Sequence, residues 1–172
     1  GLRAQGVKLT AEEILQLELA LDKLKKALQL DPNNAWAWAR LGWVGIFQSE
    51  PSAAMERFER AMALSPLDPF MFSMRMGFGS ALALAGRLEE AVAIGREVVA
   101  QHPQVTWAYR FLAAWAGMAG DLTTGRWAVE RLLAVQPDYT VAKYLAVPAM
   151  RNNPKLRDWL AAGMRLGGLP QG

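Results

Sequence analysis

The sequence predicts an all-α solenoid of antiparallel helix pairs, and three observations point to it. Turn-forming prolines recur at a near-constant spacing: Pro66 stands 34 residues after Pro32, and Pro137 stands 34 after Pro103, with 37 between Pro66 and Pro103. A period of this length marks a repeat architecture, in which each unit buries its apolar face on the next. Between the prolines, apolar residues follow helical spacing, and no stretch alternates with the two-residue period of a strand. Finally, each interval is split near its middle by a short turn, as a helix hairpin requires.

The elements follow in order. Residues 1–10 lack a regular pattern and are expected to be flexible. Thr10 with Glu13 has the form of a capping box, opening a helix over 11–30 that reads as the second helix of a first unit (11–34). The next unit (35–68) holds helices over 35–48 and 51–64. Pro51 suits a first helical turn, where a missing N–H costs nothing. The third unit (69–105) holds helices over 69–85 and 88–101, separated at Gly86-Arg87. Asp68 and Pro69 read as its cap and first residue, so the three inserted residues are expected in an extra N-terminal helical turn. The fourth unit (106–139) holds 106–119 and 122–135, broken at Gly120-Asp121. Residues 140–147 open a fifth unit (140–168). Asn153-Pro154 then starts a last helix to Leu166, ended by Gly167-Gly168, with Leu156, Trp159, Leu160 and Met164 on its apolar face. This helix reads as a cap whose other face meets water.

The totals exclude several functions. With 52% hydrophobic residues in 172, the chain can bury a core of its own. The formal charge is +3, and that excess sits in residues 151–172, where Arg151, Lys155, Arg157 and Arg165 face Asp158 alone. A nucleic-acid binder carries a basic stripe along its working face, so this distribution argues against nucleic acid as a partner. Cysteine is absent, which rules out disulfides, a thiolate nucleophile and Cys-ligated zinc, and fits the reducing cytoplasm. No run of about 18 uncharged apolar residues can span a membrane. The first ten residues do not form a signal peptide. The chain begins with Gly, and we expect it to be part of a longer protein.

Candidate chemistry is sparse. His102 is the single histidine, in a turn, without the second ligand or base partner that metal binding or catalysis needs. Glu12-Glu13 and Glu89-Glu90 open helices, where acids complement the helix dipole. The run from Gly77 to Ala81 lies mid-helix with no preceding strand, so it reads as close helix packing and not as a phosphate loop. No cofactor, metal or catalytic residue is expected, and the segment does not read as an enzyme.

The unit from 35 to 66 resembles the tetratricopeptide repeat family. Trp38, Leu41 and Gly42 take the large, large and small positions of its first helix; Ala54, Phe58 and Ala61 take the small, large and small positions of its second; Pro66 closes it. The unit ending at Pro103 keeps Phe78, Gly79, Leu82, Gly86 and Ala91, but has Arg75 and Gly95 where large apolar and aromatic residues are usual. The unit ending at Pro137 keeps Tyr109, Leu112, Ala113, Gly120 and Leu132, with Gly125 in place of Ala. The resemblance covers about 11–168 and implies a right-handed solenoid of four to five units. More narrowly, Gly42-Trp43-Val44-Gly45, Ser65-Pro66-Leu67-Asp68-Pro69-Phe70, Ala85-Gly86-Arg87-Leu88-Glu89-Glu90-Ala91 and Gly168-Leu169-Pro170 resemble the C-terminal repeats of bacterial class III adenylate/guanylate cyclases. Similar repeats follow winged-helix domains in some regulators. That likeness implies the regulatory end of a signalling protein.

The family register further implies a concave groove lined by the first helices. It places Trp36, Arg40, Trp43 and Phe47 there from one unit, Ser73, Met76 and Ser80 from the next, and Trp107, Arg110, Phe111, Ala114 and Met118 from the third. Trp38, Trp115 and Trp127 are expected to pack between helices. Exposed aromatics with Arg are the residue types of binding hot spots, and Met adapts to varied partners. The expected function is therefore protein–protein interaction, with a peptide or another domain of the parent chain in the groove. Two alternatives stand beside it. Arg40, Arg75 and Arg110, spaced by 35 residues, could form a ladder that grips a small anion. A second copy of the chain could pair through Leu15, Leu19 and Leu24 of the first helix.

Overall fold

A computed structural model of the chain describes residues 11–147 and 153–172, with all side chains there except those of Ala11, Glu13 and Ile14. Among the described residues the fold is helical throughout: α1 (Ala11–Leu30), α2 (Ala35–Phe47), α3 (Pro51–Leu64), α4 (Met71–Leu84), α5 (Leu88–Gln101), α6 (Thr106–Ala119), α7 (Leu122–Val135), α8 (Val141–Leu145) and α9 (Pro154–Leu166). The expected capping box at Thr10 lies outside the described residues.

Each helix from α1 to α7 packs on its neighbours in sequence, and α2, α4 and α6 also touch one another in turn. This is a solenoid of hairpins, with the first helix of each pair on one face. Large side chains hold the units together where glycines let them in. The Phe58 ring of α3 is fully buried between Gly42 of α2 and Gly77 of α4; a Cβ on Gly42 would lie 2.8 Å from that ring. Burying one such side chain stabilises by about 1.5–3 kcal/mol. Trp115 of α6 repeats the device one unit on, with Gly79 and Gly95 against its six-membered ring. Among the described residues, side-chain caps start four helices: Asn34 accepts from the Ala37 amide at 2.9 Å, Asp121 from Thr124 at 3.0 Å, Thr140 from Lys143 at 3.2 Å and Asn153 from Leu156 at 3.0 Å. The Thr124 bonds hold the Asp121 carboxyl below its ordinary range.

One expectation is corrected. Residues 68–70 do not add a helical turn to α4. Asp68 instead builds a turn, accepting from Ser65 Oγ at 3.1 Å and from the Phe70 amide at 2.8 Å, and α4 begins at Met71. The short Asp side chain bonds the backbone two residues on, which competes with helix.

The end of the chain closes the solenoid in a way the repeat pattern does not describe. α9 packs mainly on α6 and only lightly on α7. Its cap Asn153 donates through Nδ2 to Phe47 O at 2.7 Å and to Ser49 Oγ at 3.0 Å, at the C-terminal end of α2. Leu156 and Trp159 share a cleft with Ala83, Leu84 and Leu88 at the end of α4 and start of α5. Gly163 meets Ala114 and Met118 of α6, where an added Cβ would come within 2.6 Å of Ala114 O. α9 therefore runs across the C-terminal ends of α2, α4 and α6 in turn. The segment after Leu166 continues this closure: Val141 and Ala142 of α8 donate to Pro170 O and Gln171 O at 2.9 and 3.0 Å.

Candidate functional site

The face made by the first helices divides in two. Its C-terminal half is occupied by α9. Met118, expected in the groove, is half-buried there and packs near Gly163; Ala114 is fully buried. The N-terminal half carries the aromatic residues. Rings follow one another at centroid distances of 5.2 to 6.4 Å: Trp36 to Phe70, Phe70 to Phe72, Phe72 to His102 and Trp107, Trp107 to Phe111, and Phe111 to Trp115. Trp43 joins this row edge-on, 6.3 Å from Trp107 and 5.6 Å from Phe58. Helical spacing within each unit, and stacking between units, produce the row.

Within it, the expected groove residues differ in accessibility. Trp36 is 51% exposed and Phe47 39%. Trp43, Trp107 and Phe111 are half-buried and pack on the core. Met76 is a correction: at 0% exposure it is core, and presents no surface to a partner. Ser80 is likewise buried, its hydroxyl donating to Met76 O at 2.9 Å. Trp115 is fully buried, as expected, whereas Trp127 is 38% exposed, with Tyr109 on one side and Arg131 5.7 Å from its ring. Trp38 is half-buried and donates its indole N–H to Pro32 O at 2.9 Å.

A pocket of ≈ 230 Å³ opens among Trp36, Ala39, Arg40, Trp43, Phe70, Ser73 and Met74. Arg40 lies over the Trp36 ring at 4.5 Å, a cation–π contact that keeps the guanidinium's polar edge available. Sequence reasoning missed Phe70, because it assigned 69–85 to helix. The Asp68 turn places Phe70 beside Trp36 instead.

The three arginines do not share an environment. Arg40 stacks on Trp36, Arg75 pairs with Glu97 of α5, and Arg110 donates to Tyr139 Oη at 2.7 Å. Arg75 is thereby removed from any ladder. Near Arg110, burial pushes the Tyr144 phenol well above its ordinary value, with the nearby Arg110 charge opposing. Arg110 Nε and Tyr144 Oη are buried without a protein hydrogen-bond partner. His102 packs on Phe72 and is half-buried. Glu90 is paired with Arg87 through two 2.6 Å contacts, which hold its carboxyl below the ordinary range. Among the described residues no group of three or more His, Cys, Asp or Glu could hold a metal ion, and no helix is long and apolar enough to cross a membrane.

Solved structures share this architecture. The chain is similar to MamA, with a TM-score of 0.62, 19% identity and 94% of each chain covered. It is similar to PilW, a type IV pilus biogenesis factor, with a TM-score of 0.68 and 21% identity over 91% of this chain and 71% of that one. It is similar to YrrB, described as a TPR protein with an unusual peptide-binding site, with a TM-score of 0.59 and 20% identity over 90% and 80%. These likenesses show the fold to be a tetratricopeptide-type solenoid of helix pairs. No family model matches the sequence, and no curated protein matches it significantly.

Proposed function

We propose that the chain is a protein-interaction module that takes a peptide side chain in the pocket between Trp36, Arg40, Trp43 and Phe70. The observation that carries this reading is the contrast within one face. α9 covers the C-terminal half, while the N-terminal half keeps an open aromatic pocket with a cation at its rim. Such a site fits an apolar side chain next to an acidic group, the first filling the aromatic walls and the second meeting Arg40. The peptide-binding site attributed to YrrB lends this reading support from a protein of the same fold. The cyclase-like stretches of sequence support a cytoplasmic signalling parent, for which this segment would be the regulatory and not the catalytic part.

Selection from a displayed peptide library tests the proposal. Enriched peptides should carry an apolar residue beside Asp or Glu. Their affinity should fall at least about tenfold on Trp36→Ala while the helical CD signal stays. Failure to enrich any peptide, or binding indifferent to Trp36→Ala and Arg40→Ala, would overturn it. A small-anion site at Arg110 is the second reading, favoured by its buried and unpartnered Nε beside Tyr144. A thermal shift with organic acids that disappears in Arg110→Ala would support that one.

A further inference from the structure

We propose that α1 is a self-pairing helix, through which two copies of the chain join with their α1 helices antiparallel and centred on Leu19. The inference is independent of the pocket on the other units.

The repeat register shows what is unusual about α1. Counting back from the closing prolines Pro32, Pro66, Pro103 and Pro137, the second helices α3, α5 and α7 all begin fifteen residues earlier, at Pro51, Leu88 and Leu122. The corresponding residue of the first unit is Leu17, yet α1 begins at Ala11. Seventeen residues before each later proline stands a residue with positive φ that turns the chain back onto its partner helix: Ser49, Gly86 and Gly120. In the first unit that position is Leu15, and it is helical. The turn that the later units make at this register position is therefore not made at Leu15.

A small position that the later units bury is uncovered in α1. Ala20 matches Ala54 and Ala91 in the register; those two are fully buried, whereas Ala20 is exposed. Leu17, Leu21, Leu24 and Leu28 are half-buried, the stripe spacing expected of the side packed on α2. Leu24 is thus not free for a partner. The opposite stripe, Glu12, Leu15, Leu19, Lys23 and Lys26, is exposed along its length, with Leu15 at 53% and Leu19 at 45%.

Charge chooses the occupant. The stripe is acidic at its N-terminal end and basic at its C-terminal end. An antiparallel copy centred on Leu19 sets Glu12 opposite Lys26 of the partner subunit, twice by symmetry, and lays Leu15 along the alkyl stem of Lys23 of the partner subunit. A parallel copy would set like charges together.

The test is light-scattering mass across a wide concentration range, with CD on the same samples. The wild-type mass should rise from 18.9 kDa toward twice that value. Leu19→Asp should hold it at the monomer. Lys26→Glu should weaken association by on the order of tenfold, because two attractive pairs become repulsive. The double variant Glu12→Lys with Lys26→Glu should restore it, since both pairs are remade with the signs exchanged. Should Leu19→Asp lose helical signal, the two exposed charge variants carry the test. A wild-type monomer throughout, association indifferent to these changes, or a double variant no better than Lys26→Glu would each overturn the proposal.

Discussion

Trp36 and Trp43 lie two turns apart on the same face of α2, and their surroundings give them different work. Trp43 is half-buried against Phe58 and Trp107, so truncating it removes inter-unit packing. Trp43→Ala should cost about 2–4 kcal/mol, read as a lower denaturation midpoint at unchanged slope. Trp36 touches Phe70 and Arg40 and is half open to water, so Trp36→Ala should cost no more than about 1 kcal/mol. Equal losses for the two would mean that the pocket is a core defect and not a site. Tyr144 makes a second prediction at this scale. Burial raises its folded-state pKa above the ordinary 10.0. The protonated phenol's contribution is complete below pH 10 and is lost as pH rises above it, because the unfolded chain then releases the proton first. Tyr144→Phe should thus match the wild type at neutral pH and flatten its alkaline decline in thermal melts. An unchanged alkaline limb would mean the phenol is not desolvated. The aromatic and Arg residues were legible in the sequence, being the types that repeat at helical spacing. Their burial was not, because exposure depends on what the next unit lays over each one.

The element that most changes the picture is α9. Its contact with α6 is glycine against backbone: Gly163 on Ala114, with Gly117 and Gly167 completing the close approach. A helical glycine costs about 0.5–1 kcal/mol relative to Ala, so Gly163→Ala would stabilise an isolated helix. In this fold it should instead destabilise by about 1–3 kcal/mol, seen as a lower melting temperature. A more stable variant would show that α9 does not lie where described. At the helix's other end, Asn153→Ala removes a cap and leaves the Phe47 carbonyl and Ser49 without their donor. About 2–3 kcal/mol should be lost, and Asn153→Asp, which keeps the cap but not the amide donor, should recover only part of it. Two of the three departures from the repeat pattern, Gly125 and Gly95, answer to close approaches of the same kind. Gly125 stands where Gly167 approaches, and Gly95 stands where Leu112 and the Trp115 ring enter from α6. The sequence shows only that glycine stands at these positions. Which atoms needed the space lay in segments remote in sequence.

For the molecule as a whole, packing is uneven along the solenoid. Among the described residues α1 has one neighbour of consequence, α2, whereas α6 is packed by α5, α7 and α9. In a repeat array stability is close to a sum of local units and interfaces, so opening should be graded. Amide exchange should be fastest in α1 and slowest in α4 and α6; uniform protection would show that α9 and the units form one all-or-none body. The sequence by itself determined the helices, their pairing and the order of units. α3, α5, α6 and α7 begin and end where spacing, proline and glycine place them, because those signals act within one turn of the chain. Only the tertiary structure decided the path of α9, the burial of Met76, the separation of the three arginines and the open pocket beside Phe70. Each of these depends on contacts across tens of residues, and a local pattern carries no information about which distant surface will be brought to meet it.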